Sequence, residues 1–296
     1  LKKTSKTVNR SMKFKAVTIG ALLLLTILVV STVQSIGIST VSAYQGSGVF
    51  CPNRYIPEYP PGDTENEIVL STQACYYIAY YLWEHYYPGT CYFMFGDPLW
   101  GQYSPVVPES YTIILDELEY YSDKVTVFSK GHCTPWGYNG QHYQLLCTFE
   151  PDAAKDSVHI WPGTDQGKCR FDFIWHCGTA RSYPVPPPYY DPDGPYGMPF
   201  TFTHNVAMTK YGSSGPCVFL GWDWMSPQFE NTIPQNQYWQ WAQFAVAIFY
   251  YMHYDYWDLQ YALNQLSLSI YGTYFSNSPL YNDLVVWGNM NMALYY

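Results

Sequence analysis

The chain has 296 residues, of which 12% are charged and 20% are aromatic, and its formal net charge is −9 at pH 7. The surplus of acidic residues argues against a nucleic-acid-binding function, because such proteins neutralise phosphates with lysine and arginine. The length is sufficient for one domain with a sizeable hydrophobic core.

Residues 1–43 have the pattern of an export signal. The segment opens with six basic residues and no acidic one, continues with an apolar stretch at 16–33, and closes in small residues up to Ala43. We predict a signal peptide that is cleaved after Ala43 and a secreted, extracellular protein. The apolar stretch is also close to the length that spans a bilayer. An uncleaved N-terminal anchor is therefore the alternative, and it would be the protein's only contact with a membrane.

All eight cysteines follow this segment. Exported proteins fold in an oxidising compartment, so we expect most of these cysteines to form disulfide bonds. The spacing C-x-x-C is absent, which leaves zinc-ribbon and thioredoxin-type sites without support. We predict no metal and no cofactor. Structural calcium at Asp191-Pro-Asp-Gly194 is an alternative that lacks the later ligands of an EF-hand, so a solvated turn is favoured there.

Helices and strands are predicted to alternate after an extended lead-in segment at 44–64, which contains a short strand at Val49-Phe50. The predicted strands are 91–95, 125–128, 171–175, 217–220 and 284–287, and the predicted helices are 65–87, 109–121, 238–254 and 257–270. Strand, helix and strand in succession imply parallel pairing with right-handed crossovers. We therefore predict one α/β domain at 65–296 with a mostly parallel sheet.

Two of the predicted strands lead to a reactive side chain. The strand 125–128 is followed by His132, and the strand 171–175 by Cys177. Because the carboxyl ends of parallel strands meet at one edge of a sheet, His132 and Cys177 should lie side by side. An imidazole beside a thiol generates a thiolate, which attacks carbonyl carbon. The sequence therefore predicts a cysteine endopeptidase that acts on proteins or peptides.

Two further histidines compete for the role of base. His176 adjoins Cys177, but neighbouring side chains of a strand point to opposite faces, so His176 should face away from the thiol. His142 is the reserve candidate.

These stretches resemble the caspase-like clan of cysteine peptidases, which includes caspases, legumains, gingipains and clostripain. The matching pieces are V-T-V-F-S-K-G-H, which ends at His132, and F-D-F-I-W-H-C-G-T-A, which contains Cys177. The stretch from Pro216 to Trp222, with Ser226 after it, is similar to the strand and loop that line the substrate cleft. The resemblance extends over residues 65–296 and implies a three-layer α/β/α sandwich.

The resemblance also implies roles for individual residues. Cys177 would be the nucleophile, and His132 would protonate the leaving amine and assist water in deacylation. The backbone N–H groups of Cys133 and Cys177 would hold the oxyanion. Three consecutive residues are candidates for the substrate pocket, with the acidic one favouring a basic residue before the cut: Trp222, Asp223 and Trp224.

The chain departs from the family around both reactive residues. The family usually has glycine after the histidine, whereas here Gly131 precedes His132 and Cys133 follows it. A Cys133–Cys177 disulfide would block the site. The alternative function is therefore a catalytically inactive relative that acts as an extracellular binding or cell-envelope protein. A third hypothesis is a cysteine-stapled adhesin unrelated to peptidases, in which His132 and Cys177 are not neighbours.

Tyrosine is unusually abundant, with 32 residues. Lineage or habitat composition is the simpler explanation. An aromatic platform that binds carbohydrate or another surface is the alternative, and the sequence alone does not localise it.

Overall fold

The computed structural model describes residues 44–51, 64–87, 89–95, 108–138, 141–147, 154–155, 160, 163–180, 198–205 and 207–294. Within 132–155 this description covers the backbone only. The predicted signal peptide and the calcium candidate at 191–194 lie outside the described residues.

Strands and helices alternate along the chain. The strands are β1 (Gln45–Cys51), β2 (Thr90–Phe95), β3 (Lys124–Lys130), β4 (His132–Tyr138), β5 (Gln141–Cys147), β6 (Ala154–Lys155), β7 (Cys169–Trp175), β8 (Val218–Trp222), β9 (Thr232–Ile233), β10 (Asn236–Gln240) and β11 (Leu284–Gly288). The helices are α1 (Glu65–Tyr86), α2 (Pro108–Tyr121), α3 (Met198–Thr203), α4 (Trp241–Tyr254), α5 (Leu259–Tyr271) and α6 (Leu280–Asp283). Each predicted helix and strand is present, with its ends shifted by a few residues.

Six of the strands form one mixed sheet in the order β11-β8-β7-β3-β1-β2. The pairs from β8 to β2 are parallel, and β11 runs antiparallel to β8 at the edge. The predicted α/β class with a mostly parallel sheet is therefore confirmed. Directly after β3, the chain forms a small antiparallel sheet from β4, β5 and β6.

Helices cover both faces of the six-stranded sheet, because its strands are apolar on both sides. Phe128 of β3 belongs to the core cluster that contains α1, α4 and α5 residues. Its neighbour Val127 points to the opposite face and packs with Leu118 of α2 and Phe202 of α3. Among the residues described here, no helix combines the length and the apolar character needed to cross a membrane.

Part of the predicted lead-in segment is an interior strand. β1 pairs with β2 on one side and with β3 on the other, so the domain begins before residue 65. A Cβ atom at Gly46 would collide with Ser122, and one at Gly48 would crowd Leu118. The small residues therefore let α2 lie close to the sheet. They also remove the β-branched and aromatic pattern by which a strand is recognised in a sequence.

The cysteines with described side chains are free thiols, namely Cys51, Cys75, Cys91, Cys169, Cys177 and Cys217. The predicted disulfides are thus absent among these six, while the side chains of Cys133 and Cys147 lie outside the described residues. Burial raises the pKa of Cys75, Cys91, Cys169 and Cys217. These four residues behave as small apolar groups in and around the core.

Two histidines meet where α1 packs against α4. The Nδ1 atoms of His85 and His253 lie 2.9 Å apart, and Nε2 of His253 is 3.1 Å from the Glu84 carboxylate. The ring of Tyr81, which also belongs to α1, stacks on the ring of His253. Burial lowers the pKa of His85 to about 4, and the neighbouring His253 adds to this effect. Protonation of His85 therefore opposes folding.

We expect the melting temperature to fall as the pH is lowered from 6.5 towards 4. In this window the unfolded chain binds a proton at His85 that the folded chain does not bind, so stability present above pH 6.5 is lost on acidification. His85→Gln should flatten this dependence in thermal unfolding followed by circular dichroism. Equal slopes in the wild type and the variant would contradict the assignment to His85.

Candidate active site

The strands β3 and β7 are parallel neighbours that end at the same level of the sheet. Their register pairs Lys130 with Trp175, so His132 follows one strand at the same distance as Cys177 follows the other. The Gly131 N–H also donates to the Trp175 carbonyl over 3.2 Å, which continues the contact beyond the last strand pair. The two strands therefore lie side by side as predicted. His132 itself begins β4 and its side chain lies outside the described residues, so the contact between imidazole and thiol stays a prediction.

The thiol of Cys177 is half-buried and faces a serine from a later loop. The Ser226 N–H donates to Cys177 Sγ over 3.3 Å, and Ser226 Oγ lies 3.3 Å from the same sulfur. Gly178 has a φ of 66°, the left-handed conformation that glycine adopts readily, and turns the chain away after the thiol. The Ser226 N–H thus fixes the sulfur, and the Ser226 hydroxyl exchanges a second hydrogen bond with the thiol.

The sequence indicates Ser226 only as part of a loop similar to one that lines a substrate cleft. Nothing in its local pattern marks it as a partner of Cys177, because the two residues are 49 positions apart. Only the parallel placement of β7 beside β8 brings the loop 223–231 across the end of β7.

A buried ion pair ties the end of β3 to this loop. Lys130 Nζ lies 2.6 Å from Oε1 of Glu67, and the two side chains are 3% and 0% exposed. The other oxygen of Glu67 accepts the N–H of Glu230 over 2.7 Å, and Oε1 also accepts the Ser71 hydroxyl. The ammonium group of Lys130 lies 5.5 Å from the centre of the Phe229 ring. One carboxylate on α1 thus holds both the strand that leads to His132 and the loop that carries Ser226.

Trp222 is predicted to form a wall of the substrate pocket, but in the structure this residue lies in the core. It is 1% exposed, and its ring packs 4.8 Å from that of Trp175 and 5.6 Å from that of Trp241. Trp222, the last residue of β8, points to the face of the sheet that α4 covers, so its own ring has no open surface for a substrate. The Trp175 indole donates to the Pro227 carbonyl over 2.8 Å, which adds a second anchor for the loop.

The other two pocket candidates lie just beyond β8. The Asp223 N–H donates to the Asp283 carbonyl over 2.9 Å, at the start of β11. Burial, and then the charge of Asp223, raises the pKa of the Asp283 carboxyl. Trp224 is 63% exposed. Asp223 and Trp224 therefore remain available at the surface, while their contact with a substrate stays a prediction.

His176 follows the last residue of β7, and its predicted orientation away from the thiol stays a prediction. It is buried, and its Nε2 lies 2.9 Å from Ser129 Oγ, whereas Cys177 Sγ faces Ser226. The reserve base, His142, lies opposite Gly137 in the β4–β5 hairpin. That register puts the His142 backbone about 16 Å along the hairpin from His132. The backbone of His132 therefore adjoins the end of β3, whereas the backbone of His142 lies farther along the hairpin.

Within the described part of the chain, no group of three His, Cys, Asp or Glu residues is placed to hold a metal ion. The backbone N–H of Cys133, which is predicted to help hold an oxyanion, lies in β4 next to His132. The chain matches no protein-family model and no curated protein.

Proposed function

We propose that this protein is a secreted cysteine endopeptidase of the caspase-like type, with Cys177 as nucleophile and His132 as its acid–base partner. The register of β3 and β7 supports the proposal, because these parallel neighbours end at the same level, two residues before His132 and Cys177. The mixed sheet with helices on both faces is compatible with the sandwich that the resemblance implies.

The reaction would proceed through a thioester. His132 takes the proton of the Cys177 thiol, and the sulfur forms a bond to the scissile carbonyl carbon. The backbone N–H groups of Cys133 and Cys177 stabilise the oxyanion, and His132 returns the proton to the amine that leaves. The same imidazole then removes a proton from water, which attacks the thioester and frees the acid product. Ser226 would act on this sequence by holding the sulfur in place.

The substrates would be extracellular proteins or peptides. The chain outside the signal segment keeps all 23 acidic residues and loses six of the 14 basic ones, so its field attracts cationic segments. Asp223 lies in the same loop as Ser226. Its negative charge would favour a basic residue before the cut.

Alkylation of the purified protein by iodoacetamide without reductant, mapped by mass spectrometry across pH, tests the proposal. We expect iodoacetamide to label Cys177 rapidly, because the proposed imidazole partner is the base that generates the attacking thiolate. The His132→Ala variant should lose this rapid reaction.

Cys91 is the matched internal control, since it is also a half-buried free thiol but burial raises its pKa. Labelling of Cys177 no faster than that of Cys91 would contradict the peptidase proposal. So would a Cys177 found in a disulfide bond, which would favour an inactive binding protein instead.

A further inference from the structure

An exposed aromatic surface covers the outer side of α1 and the adjoining side of α4. We call it the tyrosine face, and its six members are each at least 40% exposed: Tyr76, Tyr80, Trp83, Tyr87, Tyr250 and Tyr254. Contiguous aromatic area of this kind on a folded protein commonly marks a binding surface.

The rings of the tyrosine face form a continuous row. The members from α1 recur at intervals of three and four residues, so they lie on one side of the helix over a length of about 16 Å. The Tyr80 and Trp83 rings are 6.3 Å apart, and the Trp83 and Tyr87 rings are 5.7 Å apart. Tyr81 links this row to α4, because its ring lies within 6 Å of both Tyr250 and Tyr254. The face therefore spans two helices.

The tyrosine face carries no cationic group of its own. Neither α1 nor α4 contains lysine or arginine. The one carboxylate among its rings, Glu84, accepts the Tyr254 hydroxyl over 3.0 Å and contacts His253. A partner with phosphate or carboxylate groups would find no counter-charge here, which disfavours nucleic acids and anionic lipids. The absence of lysine and arginine from both helices thus favours an uncharged partner.

A groove of about 310 Å³ adjoins the face and shares Tyr81 and Tyr250 with it. Its other polar groups include those of Tyr238, which is 83% exposed, Gln243 and Tyr251. The groove and the face together offer flat apolar rings beside phenol hydroxyls and an amide. This combination is suited to a ligand with apolar faces and a rim of hydroxyl groups.

We propose that the tyrosine face binds an uncharged polysaccharide. The C–H faces of successive sugar rings would stack on the aromatic rings, and the sugar hydroxyls would bond to the phenol and amide groups. A membrane surface fits less well, because interfacial helices combine aromatic residues with lysine and arginine. A second copy of the chain is the competing occupant, because tyrosine and tryptophan are also enriched at protein interfaces, and the oligomeric state in solution distinguishes the two. The proposal is independent of the chemistry at Cys177.

Retention of the full chain on insoluble cellulose, chitin and mannan tests this proposal. The wild type should bind at least one of the three polymers. Tyr80→Ala combined with Trp83→Ala should weaken that binding at least about tenfold, the effect of losing roughly 1.4 kcal/mol of stacking.

The matched control is Tyr120→Ala with Tyr121→Ala, because these residues form an even more exposed ring pair on α2, with centroids 4.8 Å apart. The control variant should bind as the wild type does. Failure of the wild type to bind any of the three polymers would overturn the proposal. An equal loss of binding in both variants would also overturn it. So would a Tyr80→Ala with Trp83→Ala variant that changes only the oligomeric state in size-exclusion chromatography and still binds the polymer.

Discussion

Replacing Cys177 by alanine is expected to reduce peptide hydrolysis by at least about 1,000-fold in kcat/KM. In the proposed mechanism the Cys177 sulfur forms the covalent bond to the substrate, and the neighbouring His176 contacts Ser129. His132→Ala should cause a loss of similar size, since nucleophile and base act as a unit. Hydrolysis of a fluorogenic peptide library with basic residues before the cut would provide the measurement.

His142→Ala is the matched control for the histidine variant. It removes an imidazole from the same hairpin, opposite Gly137 and away from the strand end that leads to His132. We expect its kcat/KM to equal that of the wild type. Activity that survives Cys177→Ala would refute the dyad, whereas activity lost in His142→Ala alone would transfer the role of base to that residue.

The second large effect concerns stability. Lys130→Met leaves the Glu67 carboxylate buried without its cation, and loss of one partner of a buried pair costs about 3–5 kcal/mol of folding free energy. The carboxylate would keep its bonds from the Glu230 N–H and the Ser71 hydroxyl, but these groups are neutral. Equilibrium unfolding in urea measures the loss, and the midpoint should fall while the slope stays constant.

A double variant separates charge from packing. Glu67→Gln with Lys130→Met removes both charges and keeps an oxygen that can accept the Glu230 N–H. We expect it to recover most of the stability lost in Lys130→Met, because a neutral pair carries no uncompensated charge. A Lys130→Met variant within about 1 kcal/mol of the wild type would show that the pair does not support the fold.

The sequence is sufficient to predict the elements whose pattern repeats locally. The face of α1 that contains Ile78 and Leu82 is buried as its helical spacing predicts, and the apolar runs of β3 and β7 are strands. The parallel placement of those two strands is also expected from the sequence, but the segment between them forms the antiparallel strands β4, β5 and β6, which the sequence does not predict.

The remaining parts depend on contacts between distant segments. The strand β1 has glycines where most strands have branched side chains, since α2 lies against it. The ion pair joins Glu67 to Lys130, and the thiol meets Ser226, with no local signal at any of these positions. Trp222 is expected in a pocket because of the resemblance to a strand and loop that line a substrate cleft, but the sequence does not reveal that α4 covers this residue.

The position of β1 determines when the sheet can be completed. This strand comes first in the domain, yet both of its neighbours, β2 and β3, follow it in the chain. The Tyr44 N–H bonds to the Asp123 carboxylate 79 residues later, so the strand is closed only after β3 has emerged. Until then the row of amide and carbonyl groups that faces β3 is unpaired. Non-local closure of this kind slows folding, and it leaves the open edge of β1 available for wrong pairing until the later strand arrives.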